Sequence, residues 1–234
     1  MVLIDTHAGD GLGVPQPQRS LCFDEQDSDD EESLPSPQVL AKIYRQTQSA
    51  AFIACENNKE RRQSLIDVMS RIAPSAMILN SDRDLLRINF RQWDHALIIS
   101  DPCGVSERKN GRGRYIGQGH HVEILRYINS HIKTSDTILT LNMGALDRMY
   151  GVGGETEEGD SPQTLGLRVS VPNYLWMANP LEWATRLGRR YAARSPLICQ
   201  SNGYKFHLIV IANYFASCIN RRWEIYKGGN NGSC

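Results

Sequence analysis

Short apolar runs alternating with amphipathic helical stretches constrain this chain more than any other feature. That rhythm is the signature of a mostly parallel sheet with helices packed on it, an α/β fold. The strand-like runs are Val2–Thr6, Ala51–Cys55, Ala76–Asn80, Ala96–Ser100, Thr137–Asn142 and Lys205–Ala212. Most are continuously apolar, as expected of strands covered on both faces. Helices are expected at Gln38–Thr47, Lys59–Arg71, Arg83–Arg91 and His121–His131. Leu65, Ile66, Met69 and Ile72 read as the apolar stripe of the second, and Ser81-Asp82 offers capping chemistry to the third. Val122, Ile124, Leu125 and Ile128 give the fourth its apolar face.

The length of 234 residues suits one packed domain, placed at 1–227, with a flexible tail at 228–234. The Pro-, Ser- and acid-rich stretch near 15–37 reads as a long disordered acidic loop. Tyr150–Pro180 is Gly-rich and reads as cover for one edge of the fold. No run approaches the ~20 apolar residues of a membrane-spanning helix, so no membrane partner is expected. The six cysteines form no CxxC pair and no apolar leader is evident, which points to a reducing, cytoplasmic setting. No set of His, Cys and acidic residues has metal-ligand spacing, so no metal is expected. Formal net charge is zero, but residues 24–32 hold seven of the 26 acidic residues, leaving 19 acids against 26 cations elsewhere. Such a basic body permits an anionic partner.

The most informative local pattern is a strand ending in Asp5 and followed by Thr6-His7-Ala8-Gly9-Asp10-Gly11-Leu12-Gly13. Glycines at this spacing let the backbone turn tightly and approach a ligand. The spacing differs from the dinucleotide GxGxxG, and Asp5 and Asp10 would repel a pyrophosphate. Carboxylates suit instead a ligand carrying an ammonium and a sulfonium, as S-adenosylmethionine does. Glu56, closing the second strand, is placed to accept two ribose hydroxyls, or else to end a loop. Asp82, after the third strand, either faces an adenine amino group or caps the next helix. Acids at the ends of consecutive strands describe one crevice, where open α/β sheets bind ligands.

The fourth strand ends in Asp101-Pro102-Cys103-Gly104. Asp101 and the Pro102 carbonyl offer two acceptors that can hold a donor amine, so transfer would proceed by positioning. Asp-Pro is also common in turns. Cys103 is either an inert buried thiol or, beside the cofactor, a nucleophile of the kind that adds to a pyrimidine ring. The stretch that follows contains Arg108, Lys109, Arg112, Arg114 and Tyr115, a basic loop suited to phosphates with one aromatic for stacking. A solvated loop is the plain alternative. A second basic stretch, Arg186–Arg194, has helical spacing.

Together these residues resemble the three-Cys-motif partner family, a methyltransferase-like group. The likeness rests on Asp5-Thr6-His7-Ala8-Gly9-Asp10-Gly11, Ser36-Pro37-Gln38-Val39-Leu40-Ala41, Glu56, Asp101-Pro102-Cys103-Gly104, Leu141–Arg148 and the segment Tyr204–Trp223. The resemblance implies a Rossmann-like, class I methyltransferase-type sheet with S-adenosylmethionine as cofactor. Cofactor contacts would fall on Asp5, Thr6, His7, Ala8, Gly9, Gly11, Glu56 and Asp82, and the acceptor beside Asp101, Pro102 and Cys103. Two departures stand out: this chain starts at the first strand, and the aromatic usual after Asp-Pro is Cys103. Three functions follow: methyl transfer to an exocyclic amine of DNA or RNA, a non-catalytic binding module working with a protein partner, or another nucleotide-binding enzyme such as a nuclease or hydrolase.

Overall fold

The computed structural model describes residues 1–12, 34–48, 51–101, 108–109, 115–116, 118–142, 180–199, 205–213 and 224–227. In chain order these form β1 (Val2–Asp5), α1 (Ser36–Thr47), β2 (Ala51–Cys55), α2 (Lys59–Ile72) and β3 (Met77–Leu79). Two 3-10 turns follow (Asp82–Arg87 and Phe90–Gln92), then β4 (His95–Ser100). Next come β5 (Arg108–Lys109), β6 (Tyr115–Ile116), α3 (Gln118–His131), β7 (Thr134–Asn142) and α4 (Pro180–Arg186). The chain ends in β8 (Tyr191–Arg194), β9 (Ile198–Cys199), β10 (Lys205–Ala212) and β11 (Glu224–Lys227).

The main sheet has nine strands in the order β3-β2-β1-β4-β7-β10-β8-β11, with β9 also paired to β10. From β3 to β7 all neighbours are parallel, while β10 runs antiparallel to both β7 and β8. Strand order reverses between β1 and β4, so the carboxyl ends of those two strands open the crevice expected of a Rossmann-like sheet. The register Asp5↔Ile99 and Asp5↔Ala54 places Asp5 at the centre of that opening.

Each face of the sheet carries its own core. Leu3, Phe52 and Ala54 pack with Leu40, Ala41, Leu65, Val68 and Met69 of α1 and α2. On the other face Ile4, Ile53, Ile98, Leu139 and Ile209 pack with Leu85 and Phe90 of the 3-10 turns, with α3, and with Trp183 of α4. Val122, Ile124, Leu125 and Ile128 are all buried, as their spacing predicts. The buried stripe of α2 is Leu65-Val68-Met69 with Ile72 half-buried, and Ile66 lies outside it at 40% exposure. A residue one position from Leu65 stands ~100° around the helix, so Val68, at i+3, takes its place.

Three expectations need correction. The predicted helix Arg83–Arg91 is two 3-10 turns separated by extended backbone at Ile88. Leu85 and Phe90 must both reach the core, and a five-residue spacing would set them ~140° apart on an α-helix. The loop placed at 15–37 ends earlier, because Ser36 and Pro37 belong to α1; a proline in the first turn gives up an N–H that has no helical partner there. Its acidic portion lies outside the described residues. The third correction concerns Arg186–Arg194, which is not one helix. Gly188 takes φ +67, ending α4, and the chain continues as β8. Arg189 there is buried: its Nε donates to Ser135 Oγ (2.9 Å) and its Nη2 to the Asn129 carbonyl (3.4 Å). That cation ties α3, β7 and β8 together at the end of the sheet away from the crevice. Among the described residues no helix is long and apolar enough to cross a membrane.

Candidate functional site

The glycine loop is held on three sides. Asp5 is 1% exposed, and its carboxylate accepts the His7 N–H (3.1 Å) and the Ser36 hydroxyl (2.7 Å), latching the end of β1 to the start of α1. Thr6 N–H donates to the Ile99 carbonyl (3.0 Å) and Ala8 N–H to the Cys55 carbonyl (3.0 Å), so the loop extends the sheet ladder on both sides. Gln38 Nε2 donates to the Gly11 carbonyl (2.6 Å). Neither Ser36 nor Gln38 stood out for a side-chain role in the sequence. A local signal existed only in their place just beyond a variable insert.

The two described glycines of the loop serve different ends. Both have positive φ, +63 at Gly9 and +73 at Gly11. A Cβ on Gly11 would meet Leu65 Cδ1 at 3.0 Å, and Leu65 is fully buried, so this glycine lets the loop seat on α2. Among the described residues a Cβ on Gly9 would meet nothing within 4 Å, so on that side they leave room for a ligand to approach. Gly11→Ala is therefore expected to cost about 2–3 kcal/mol of stability, backbone strain plus displacement of a core leucine, and Gly9→Ala only about 1. Urea denaturation of the two variants checks the order.

Carboxylates from four adjacent strands converge here. Burial pushes the Asp5 carboxyl up to about 6, against the Ser36 and His7 hydrogen bonds and with added repulsion from Asp101 and Glu56. Glu56 follows β2 with 8% exposure, its Oε1 accepting the Asn58 N–H at 2.7 Å. Asp82 opens the first 3-10 turn, but the cap is Ser81, whose Oγ accepts the Arg83 N–H (3.1 Å) while donating to Asp82 Oδ1 (3.1 Å). Burial holds the Cys55 thiol well above its ordinary range, and the charges of Asp82, Asp5 and Asp84 add to the rise. Asp101 keeps an exposed surface, yet the protein surrounding it raises its carboxyl, as for a group lining a concavity. A hydrogen bond from Thr140 opposes that rise. The pairing Ser100↔Leu139 explains the contact, since one step further sets Asp101 beside Thr140. Thr140 was legible as a strand residue but not as a partner of Asp101, because pairing of β4 with β7 is a tertiary fact.

The buried Asp5 carries a pH signature. Its folded value, about 6, lies above the unfolded 3.8, so the neutral form is favoured by folding. The stability this gives is present below pH ~4 and lost as pH rises through about 6, a cost on the order of 3 kcal/mol at neutral pH. Relative to wild type, Asp5→Asn is expected to gain stability as pH rises from 4 to 8. Parallel denaturation curves with no change in their gap would contradict this.

Of the other residues named from the sequence, Ala8 is buried in the core under α1 and α2. Thr6 turns inward, its Oγ1 within 3.1 Å of Ser100 Oγ and 3.3 Å of the Ile99 carbonyl. His7 sits above it with Nδ1 2.7 Å from Thr6 Oγ1. Arg108–Lys109 pair antiparallel with Tyr115–Ile116, so the expected basic loop contains a short hairpin between β4 and α3. Pro102, Cys103, Arg112 and Arg114 lie outside the described residues.

No family model matches the chain, and no curated protein matches it closely enough to count. Several solved structures share its general form at low identity. Protein LPL1258 of Legionella pneumophila has a TM-score of 0.49 at 11% identity, covering 98% of this chain and 89% of that one. An rRNA-methylase of Clostridium thermocellum, described as putative, gives 0.45 at 7% identity, covering 90% and 88%. An O-methyltransferase of Bacillus cereus in complex with SAH gives 0.44 at 13%, covering 90% and 73%. Such scores are loose, and the fold assignment stands on strand order and register.

Proposed function

We propose that this chain is an S-adenosylmethionine-dependent methyltransferase acting on an exocyclic amine of a nucleic-acid base, related to the three-Cys-motif partner proteins. The observation that carries the reading is the convergence of Asp5, Glu56, Asp82 and Asp101, from the ends of four adjacent parallel strands, beside the open side of Gly9. An acid-lined crevice repels phosphates and favours a ligand that is cationic and rich in hydroxyl donors, which fits this cofactor and not a dinucleotide. Gly9 would let the loop lie against the ligand, Glu56 would accept the ribose hydroxyls, and Asp82 would face the base. Asp5 holds the loop in shape. The cofactor would supply an electrophilic methyl group. Asp101, next along the rim, would orient the acceptor amine, and the basic residues Arg108 and Lys109, which follow it in the chain, would meet phosphate.

Calorimetric titration with S-adenosylmethionine tests the reading. Micromolar binding is expected, weakened about 10-fold or more by Glu56→Ala, roughly 1.4 kcal/mol. An absence of binding would overturn it. Turnover by the isolated chain would set aside the alternative of a non-catalytic module.

A further inference from the structure

The fold keeps a carboxyl group at a position where a neutral side chain would serve stability better. Asp5 is 1% exposed, and its hydrogen-bond partners are two neutral donors, the Ser36 hydroxyl (2.7 Å) and the His7 N–H (3.1 Å). A buried carboxylate ordinarily has a cation beside it. Here the neighbours oppose its charge instead: Asp101 and Glu56 repel it, on top of the burial that sets its carboxyl at about 6. Groups perturbed in this way gather where a protein binds a ligand or reacts.

The titratable groups around Asp5 among the described residues come from each neighbouring element. His7 and Asp10 share its loop, Cys55 and Glu56 end β2, Asp82 opens the first 3-10 turn after β3, and Asp101 follows β4. From α1 comes the neutral Ser36 hydroxyl, while Arg62 of α2 is engaged with the Glu56 carbonyl (3.0 Å). Ser36 suits either state of Asp5, because a hydroxyl donates to a carboxylate and can turn to accept from a carboxylic acid. The register sets Asp5 at the centre of the crevice mouth, so a cation seated there lies over it. An opposite charge within ~4–6 Å favours the ionised carboxyl without any direct bond.

We infer that binding of S-adenosylmethionine drives a proton off Asp5, with Ser36 as the positioning residue that holds the carboxyl in both of its states. The inference rests on the methyltransferase reading above and adds its regulation by pH. The O–H bond of the neutral acid breaks, the proton goes to solvent, and the electron pair stays on the carboxylate, opposite the positive charges of the cofactor. The site thus exchanges one cation for another. By linkage, proton and cofactor oppose each other equally in both directions. Unliganded Asp5 takes up its proton as pH falls through about 6, so cofactor affinity is full above that pH and declines below it.

Calorimetric titration in two buffers of different ionisation enthalpy counts the protons exchanged. At pH ~5.5 about 0.7 proton should leave per S-adenosylmethionine bound, and affinity should rise about 8-fold between pH ~5 and ~7. The neutral 5′-methylthioadenosine keeps the nucleoside and the sulfur but carries neither positive charge, so its affinity should change less than about twofold over that range. Asp5→Asn should abolish the proton release and flatten the S-adenosylmethionine profile. Ser36→Ala should move the midpoint of the profile to higher pH, because the Ser36 bond lowers the Asp5 carboxyl. Equal profiles for the two ligands, or a profile that Asp5→Asn leaves unchanged, overturn the inference while the methyltransferase reading stands. An unmoved midpoint in Ser36→Ala overturns the part given to Ser36. Failure of S-adenosylmethionine to bind at any pH removes both the inference and the reading beneath it.

Discussion

Asp101→Asn should lower kcat/KM for methyl transfer at least ~100-fold while leaving affinity for S-adenosylmethionine within about threefold. The side chain keeps its size, so packing is preserved, but an acceptor oxygen becomes a donor amide. Thr140 already donates to this carboxylate, against the rise that the surrounding protein imposes on it. An acceptor amine held by Asp101 would lose its orienting partner, and misplacement of reacting atoms by ~1 Å can cost 10²-fold. Separate measurement of cofactor binding by calorimetry and of turnover with labelled cofactor decides the matter. A parallel fall in both would make Asp101 a cofactor ligand.

The largest expected effect on stability is at Phe90. The ring is fully buried, lies 5.9 Å from Trp93 and 6.2 Å from Tyr127 in centroid distance, and begins the second 3-10 turn. Phe90→Ala is expected to cost about 3–5 kcal/mol, because the cavity would open between the sheet and α3. Asn89 accepts the Arg91 N–H at 3.2 Å, and its replacement by alanine should cost only about 1. Guanidinium unfolding of both variants gives the comparison. A cost below ~1.5 kcal/mol at Phe90 would mean that the turn collapses onto the void.

The parallel half of the sheet could be read in advance because its strands are buried on both faces and so are written as unbroken apolar runs. Ala51–Cys55 in that half matches its predicted bounds, and so does the apolar antiparallel strand Lys205–Ala212 beyond it. The four-residue strand Tyr191–Arg194 could not be read that way. It carries arginine and tyrosine, is joined to α4 by a tight glycine turn, and is defined by pairing with β10 and β11. Asp5 and Asp101 were legible as strand-end acids. What could not be read was the direction of each side chain: Asp5 back toward Ser36, Thr6 into Ser100, Thr140 toward Asp101. Those bonds join residues 31, 94 and 39 positions apart, and only the sheet order brings them together.

The latch between β1 and α1 has a practical use. Asp5 grips Ser36 and Gln38 grips Gly11, so the segments that flank the acidic stretch are fastened to each other beside the crevice. With its two flanks fastened to each other, a longer insertion between them is expected to cost ~0.6 kcal/mol per doubling of length in loop closure. It is therefore a natural port for grafting: a reporter domain or affinity tag with neighbouring termini could be spliced in there, giving a sensor whose signal originates a few residues from the crevice.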